Sequence, residues 1–184
     1  MAVYTEVTDE ALGAFLALYD LGRVTSFKGI AEVVENSNFL LGAEAGQFIL
    51  TLYEKRVHEA DLPFFIGLME HLAARGVTCP EPVRARNGQA LGRLAGRAAA
   101  IVTFLDGVWI RRPQARHCAA VGEALARMHE AGADFALRRA NALSIEGWPA
   151  LVAAAERRAD EVAPGLAREM TAERENGAFL RCLC

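Results

Sequence analysis

Apolar and polar positions change period several times along this chain, and the changes predict its elements. Leu12, Phe15, Leu16 and Tyr19 recur at helical spacing behind Thr8, whose hydroxyl can cap a helix, with Asp9 and Glu10 in the first turn where carboxylates favour the positive end of the dipole. Gly22 suits the position just past that helix. From Val24 the period shortens: two apolar segments flank a loop carrying Gly29 and the polar run Glu35-Asn36-Ser37-Asn38, and after a short turn a third strand-like run covers residues 47–53. There Phe48, Leu50 and Leu52 alternate with Ile49, Thr51 and Tyr53, which predicts a strand covered on both faces. The Phe-Leu-Leu face is expected to pack on the following helix, leaving Thr51 toward a cleft.

That helix has Asp61 as its cap, Pro63 in its first turn, and Phe64, Phe65, Leu68, Met69 and Leu72 on a broad apolar face that ends near Gly76. Cys79-Pro80-Glu81-Pro82 cannot stay helical, because each proline pushes its predecessor into extended geometry. Asn87-Gly88 is a two-residue hairpin signal between residues 83–86 and 89–94, and residues 98–105 read as a further strand. The first hundred or so residues therefore predict a sheet of about five strands with one helix across it. Beyond Pro113 the pattern turns helical. Cys118, Val121, Leu125 and Met128 mark an amphipathic helix with the Cys118 thiol on its buried side, and His129 lies where an imidazole can meet the last carbonyls. A second helix is expected to start after Trp148-Pro149 and to include Leu151, Ala154, Ala155 and Val162.

At 184 residues, 53% hydrophobic and 23% charged, the chain can bury one substantial core or two small lobes. A net charge of −3, with basic residues scattered apart from short pairs such as Arg111-Arg112 and Arg138-Arg139, offers no basic face for nucleic acid or an anionic membrane. The first ten residues carry no apolar signal-peptide core, and no run reaches the roughly 18 apolar residues of a membrane span, so a cytoplasmic protein is expected. Cys79, Cys118, Cys182 and Cys184 have neither metal-ligand spacing with histidine nor the density of a disulfide scaffold, and the last two read as a mobile terminus.

The loop between the first two strands is the candidate binding element. Glycine lets a backbone approach a ligand closely, and Asn36, Ser37 and Asn38 supply short polar groups beside backbone donors. A polar surface turn has the same composition. The change from strands to helices near residues 101–107 reads, from the residues alone, as an edge strand leading into a helix.

The segments GIAEVVENSNFLL, FILTLYEKR, DLPFFIGLMEHLAARG and VGEALARMHEAGADFALRRANALS resemble, in order and over residues 1–148, the amino-terminal half of the bacterial homoserine kinases of the aminoglycoside-phosphotransferase-like class. The resemblance implies an α+β, protein-kinase-like fold, with residues 1–105 as a nucleotide-binding lobe of about five antiparallel strands plus a helix and residues 106–184 as the start of a helical lobe. It also implies ATP as phosphoryl donor, Mg2+, L-homoserine as acceptor, and a role in threonine synthesis. The residues it assigns to the nucleotide are Gly29, Asn36, Ser37, Asn38 and Thr51, with Thr103, Phe104 and Leu105 along an adenine-pairing connector.

Phosphoryl transfer also needs a carboxylate to orient the attacking hydroxyl and ligands for Mg2+. The family's His-x-Asp-x-x-x-x-Asn loop is not found, since His58, His71, His117 and His129 are each followed two residues later by alanine. Catalytic and metal residues are therefore expected past residue 184, and the chain alone is expected to be inactive. Thr51 stands where many relatives carry a lysine or arginine, so Lys55 or Arg56 becomes the candidate phosphate cation. Val33 replaces a second glycine, and Glu59 reads as either an acidic partner in the site or a solvated charge. Alternatives are a kinase of the same fold acting on choline, an aminoglycoside or methylthioribose, and a non-catalytic nucleotide-binding or interaction module. Uncovered apolar faces on residues 115–131 and 149–162 suggest self-association.

Overall fold

Two tight reversals shape the sheet. Glu44-Ala45 joins β2 (Ser37–Ala43) to β3 (Gly46–Leu52), and Ala95-Gly96 joins β4 (Leu91–Leu94) to β5 (Arg97–Thr103). Ala95 and Gly96 have φ of 50° and 75°, the left-handed pair whose twist matches a two-residue hairpin. With β1 (Val24–Gly29) the strands form one antiparallel sheet in the order β1-β2-β3-β5-β4. The computed structural model describes residues 5–30, 36–54, 58–141, 144 and 147–181, in two compact units, Met1–Leu137 and Arg138–Cys184.

Both faces of the sheet are covered, but not by the expected partners. Phe39, Leu41, Phe48, Leu50, Leu52, Leu94 and Ile101 pack against Leu12, Phe15, Leu16 and Tyr19, so the Phe-Leu-Leu face of β3 meets α1 (Asp9–Leu16). Helix α2 (Leu62–Ala74) lies on the opposite face, where Ile66 and Met69 contact Tyr53, Ala90, Leu91 and Ala100. Alternation shows that a strand has two apolar faces; it does not say which helix takes which. The larger side chains went to α1, which comes close enough to β4 that a Cβ on Gly92 would lie 2.8 Å from Phe15 Cε2.

Three local expectations need correction. Helix α1 stops at Leu16, because Leu18 and Tyr19 N–H bond the carbonyls of Phe15 and Leu16 in a tighter turn; Gly22 (φ 73°) instead turns the chain beside Glu44. The Asn87-Gly88 turn is present, with Gln89 N–H donating to Asn87 Oδ1, yet residues 83–86 form no strand. Pro80 and Pro82 bring no N–H to a ladder, so this segment joins the sheet through an isolated bridge from Pro82 to Val102, with Val83 N–H on Ile101 O and Glu81 bonded to Thr103, and forms no strand.

Cys118 is exposed rather than buried. Helix α3 (Ala115–Gly132) buries no residue: its packing is concentrated at its last turn, where Gly132 nears Leu72 and His71 Nε2 donates to Ala131 O, and just beyond, where Phe135 sits against Phe64. Its apolar stripe, Val121 and Leu125 included, faces outward.

In the second unit α4 (Trp148–Val162) takes Trp148-Pro149 into its first turn, slightly earlier than the expected start after that pair, and pairs with α5 (Leu166–Arg181). The Asp160 carboxylate accepts from Ala167 N–H and Ala159 is buried between them. No helix among the described residues is long and apolar enough to cross a membrane.

Candidate nucleotide site

Strand register sets out the site. Lys28 lies opposite Leu40, Asn38 opposite Thr51, Leu40 opposite Ile49, Thr51 opposite Ala100, and Ile49 opposite Val102. Directly opposed residues share a face, so these side chains all stand on the α2 side of the sheet. Helix α2 covers that face near β4 and past the end of β3, at Tyr53, Ala90, Leu91 and Ala100. Asn38, Leu40, Ile49, Thr51 and Val102 stay half-buried and make a shelf, apolar in the middle and polar at the Asn38–Thr51 end. Asn38 Oδ1 is buried and accepts no hydrogen bond from the described residues, a deficit of about 1–3 kcal/mol unless a donor arrives.

Of the residues picked from sequence, Thr51 and Asn38 are brought together on this shelf. Gly29 ends β1 opposite Phe39, and Ile30 N–H closes the strand pair by donating to Asn38 O at 2.8 Å. Asn36 accepts from Glu54 N–H through Oδ1 at 3.4 Å. Ser37 and Asn38 belong to β2 and not to the loop, because the ladder with β3 runs on to Ser37 and Leu52. Ser37 faces away from the shelf: fully buried, its hydroxyl donates to Glu54 Oε1 at 2.7 Å and accepts from Thr5 N–H at 3.2 Å. Residues 31–35 with Val33 and Glu35, and Lys55 and Arg56, lie outside the described residues.

At the connector, Thr103 is turned to the other side. Its hydroxyl accepts from Glu81 N–H and its own N–H donates to Glu81 O, both at 2.9 Å, while Phe104 N–H donates to Gln47 O at 3.1 Å. Two backbone donors of the expected connector, those of Thr103 and Phe104, are thus engaged within the protein. The Phe104 and Leu105 side chains are exposed.

Glu54 and Arg97 escaped the sequence reading. Glu54 continues the even-numbered set of Phe48, Leu50 and Leu52, so a carboxylate there has to be buried and paired. It is 9% exposed and receives Ser37, Thr5 Oγ1 at 2.7 Å and Arg97 Nε at 3.2 Å. Glu59, by contrast, pairs with Arg93 at 2.7 Å on the surface, as a solvated charge does.

A cavity of about 660 Å³ lies elsewhere, between the end of α2 and α3, with Arg75, Val77, Ala120, Ala124 and Arg127 in its wall; it contains none of the residues picked from sequence. Among the described residues no group of three or more His, Cys, Asp or Glu could hold a metal ion.

A homoserine kinase from Methylobacterium nodulans is 65% identical over 173 residues, 94% of this chain and 54% of its own length. One from Granulibacter bethesdensis is 65% identical over 170 residues, 92% of this chain and 53% of its own. The chain spans about half the length of the curated relatives it matches. Among solved structures, spectinomycin phosphotransferase, in complex with ADP and spectinomycin, shares the fold with a TM-score of 0.58 at 12% identity, over 83% of this chain and 47% of that one. Residues 26–183 match the phosphotransferase enzyme family, and with its five-stranded antiparallel sheet and flanking helices the chain belongs to that family and has its α+β, protein-kinase-like fold.

Proposed function

We propose that this chain carries the nucleotide-binding half of a homoserine kinase, which transfers the γ-phosphoryl group of ATP to the hydroxyl of L-homoserine in the cytoplasm and so feeds threonine synthesis. The observation that carries the reading is the 65% identity to homoserine kinases over 94% of the chain. In this reading residues 1–105 form the nucleotide lobe and residues 106–184 open the helical one. The purine lies on Leu40, Ile49 and Val102 with Phe104 beside it, and takes its backbone hydrogen bonds from Leu105 onward. Asn38 and Thr51 face the phosphates, and Gly29 lets the backbone come close to them. Ser37 and Asn36 act from behind, holding the start of β2 to Glu54.

The reaction forms a bond from the homoserine oxygen to the γ-phosphorus, breaks the bond to the β,γ-bridging oxygen, and sends the hydroxyl proton to a base. Mg2+, when bound, would neutralise charge on the phosphates; the described residues offer it no cluster of three or more His, Cys, Asp or Glu ligands. Outward-facing Val121 and Leu125 on α3 and Leu151 and Val162 on α4 favour self-association of the isolated chain.

The test is a half-for-half exchange. This chain replaces the matching half of the Methylobacterium nodulans relative, and ADP release is followed with L-homoserine, choline, methylthioribose or spectinomycin. Homoserine-dependent turnover is expected; the same exchange with the matching half of spectinomycin phosphotransferase is the control. An inactive but folded hybrid, or one no better than the control, overturns the reading.

A further inference from the structure

We propose that Lys28 supplies the positive charge that holds the nucleotide's phosphates, the role that uncharged Thr51 leaves open; the proposal rests on the nucleotide reading of this face. Lys28 stands opposite Leu40 on β1, and so shares the shelf with Asn38 and Thr51. Its side chain is exposed and makes no ion pair among the described residues. The sheet's other cations are committed, Arg93 to Glu59 and Arg97 to Glu54. Every other side chain placed on the shelf, Asn38, Leu40, Ile49, Thr51, Ala100 and Val102, is uncharged.

Asn38, two residues from Leu40 on the same face of β2, can offer a phosphate its Nδ2 donors, while its buried Oδ1, which accepts no hydrogen bond from the described residues, calls for a separate donor. A polyphosphate needs charge as well as hydrogen bonds: an ammonium contact is roughly twice as strong as a neutral one, and lysine meets phosphate as a point charge. Two strand spacings of about 4.8 Å separate β1 from β3, a gap that a triphosphate can bridge between Lys28 and Thr51.

The chain contains only two lysines, Lys28 and Lys55, which makes the test clean. An acyl-phosphate derivative of ATP places an acyl carbonyl at the end of the phosphate chain; a nearby ε-amine attacks it, an amide forms, and the nucleotide leaves with the phosphate oxygen. On the intact 184-residue chain, ATP-protectable acylation is expected at Lys28. Lys28→Ala is expected to weaken ATP and inorganic tripolyphosphate binding about tenfold, with adenosine binding and thermal midpoint unchanged, and Lys28→Arg to restore most of the loss. Protectable acylation at Lys55 alone, or Lys28→Ala with unchanged ATP affinity, overturns the role of Lys28 while the nucleotide site stands. No ATP binding and no protectable acylation at either lysine overturns both.

Discussion

Ser37 and Glu54 meet on the α1 side of the sheet, hydroxyl to carboxylate at 2.7 Å, one fully buried and the other nearly so. With Thr5 and Arg97 on the same carboxylate, the contact binds the start of β2 to the end of β3 and the start of β5. It also fixes their neighbours, since a strand that turns Ser37 inward must turn Asn38 outward to the shelf.

Ser37→Ala is therefore expected to cost about 1.5–3 kcal/mol, the range for a buried hydrogen bond to a charged group. Urea unfolding of Ser37→Ala, Glu54→Leu and the double variant should show losses that fail to add, because both single changes remove the same hydrogen bond. A Ser37→Ala loss below about 0.5 kcal/mol, the scatter typical of surface changes, would refute this account.

Leu50 and Thr51 are adjacent and face opposite ways, Leu50 fully buried against the α1 core and Thr51 half-buried on the shelf. Leu50→Lys should unfold the first unit, because an unpaired charge in an apolar core costs several kcal/mol or more. Thr51→Lys should fold and bind ATP more tightly than the parent. Thermal melts and ATP titrations give the comparison, and the opposite ranking would reverse the face assignment.

Gly92 is needed for room. Its absent Cβ is what lets Phe15 rest on β4, so Gly92→Ala should destabilise by about 1–3 kcal/mol, as overpacking does. Adding Phe15→Leu should recover part of that loss in denaturant titrations; no recovery would mean the strain lies elsewhere.

Asp134 ties α3 to α2. Burial pushes its carboxyl up, but the hydrogen bond from the Arg75 guanidinium at 2.6 Å and the charge of that group outweigh this and hold the carboxyl below its ordinary value of 3.8. A lowered pKa in the folded state means stability that is present above the unfolded value and lost as pH falls through the folded one. Asp134→Asn should thus melt below the parent at pH 6, with the difference closing below about pH 4. A difference that persists unchanged into acid would show that charge is not what Asp134 contributes.

Local signals made much of this fold legible. Thr8 does cap α1, Pro63 does open α2, Trp148-Pro149 does open α4, and the alternation from Phe48 to Tyr53 correctly turns Thr51 from Leu50. What could not be read was tertiary choice. Nothing near Leu50 says that α1 rather than α2 will cover it, and nothing near Cys118 says that only the end of α3 packs. The run Asn36-Ser37-Asn38 reads as three equivalent polar residues until strand pairing sends Ser37 and Asn38 to opposite faces. Glu54 was legible by parity alone, had a buried carboxylate been entertained next to Leu52.

The strand order has a consequence for how the sheet forms. The β1·β2, β2·β3 and β4·β5 ladders each join neighbours in sequence across short connections, so they can close on the microsecond scale of hairpins. Only β3·β5 must wait for the whole stretch from Leu52 to Arg97, α2 included, to be drawn in. That ladder is the slow, high-contact-order step, and it is also the seam along which the sheet would part first into a three-stranded and a two-stranded piece. The shelf spans the seam, with Ile49 and Thr51 on one side and Val102 and Ala100 on the other. A ligand lying across it would bind only after that last ladder closes, and in binding would hold the two pieces together.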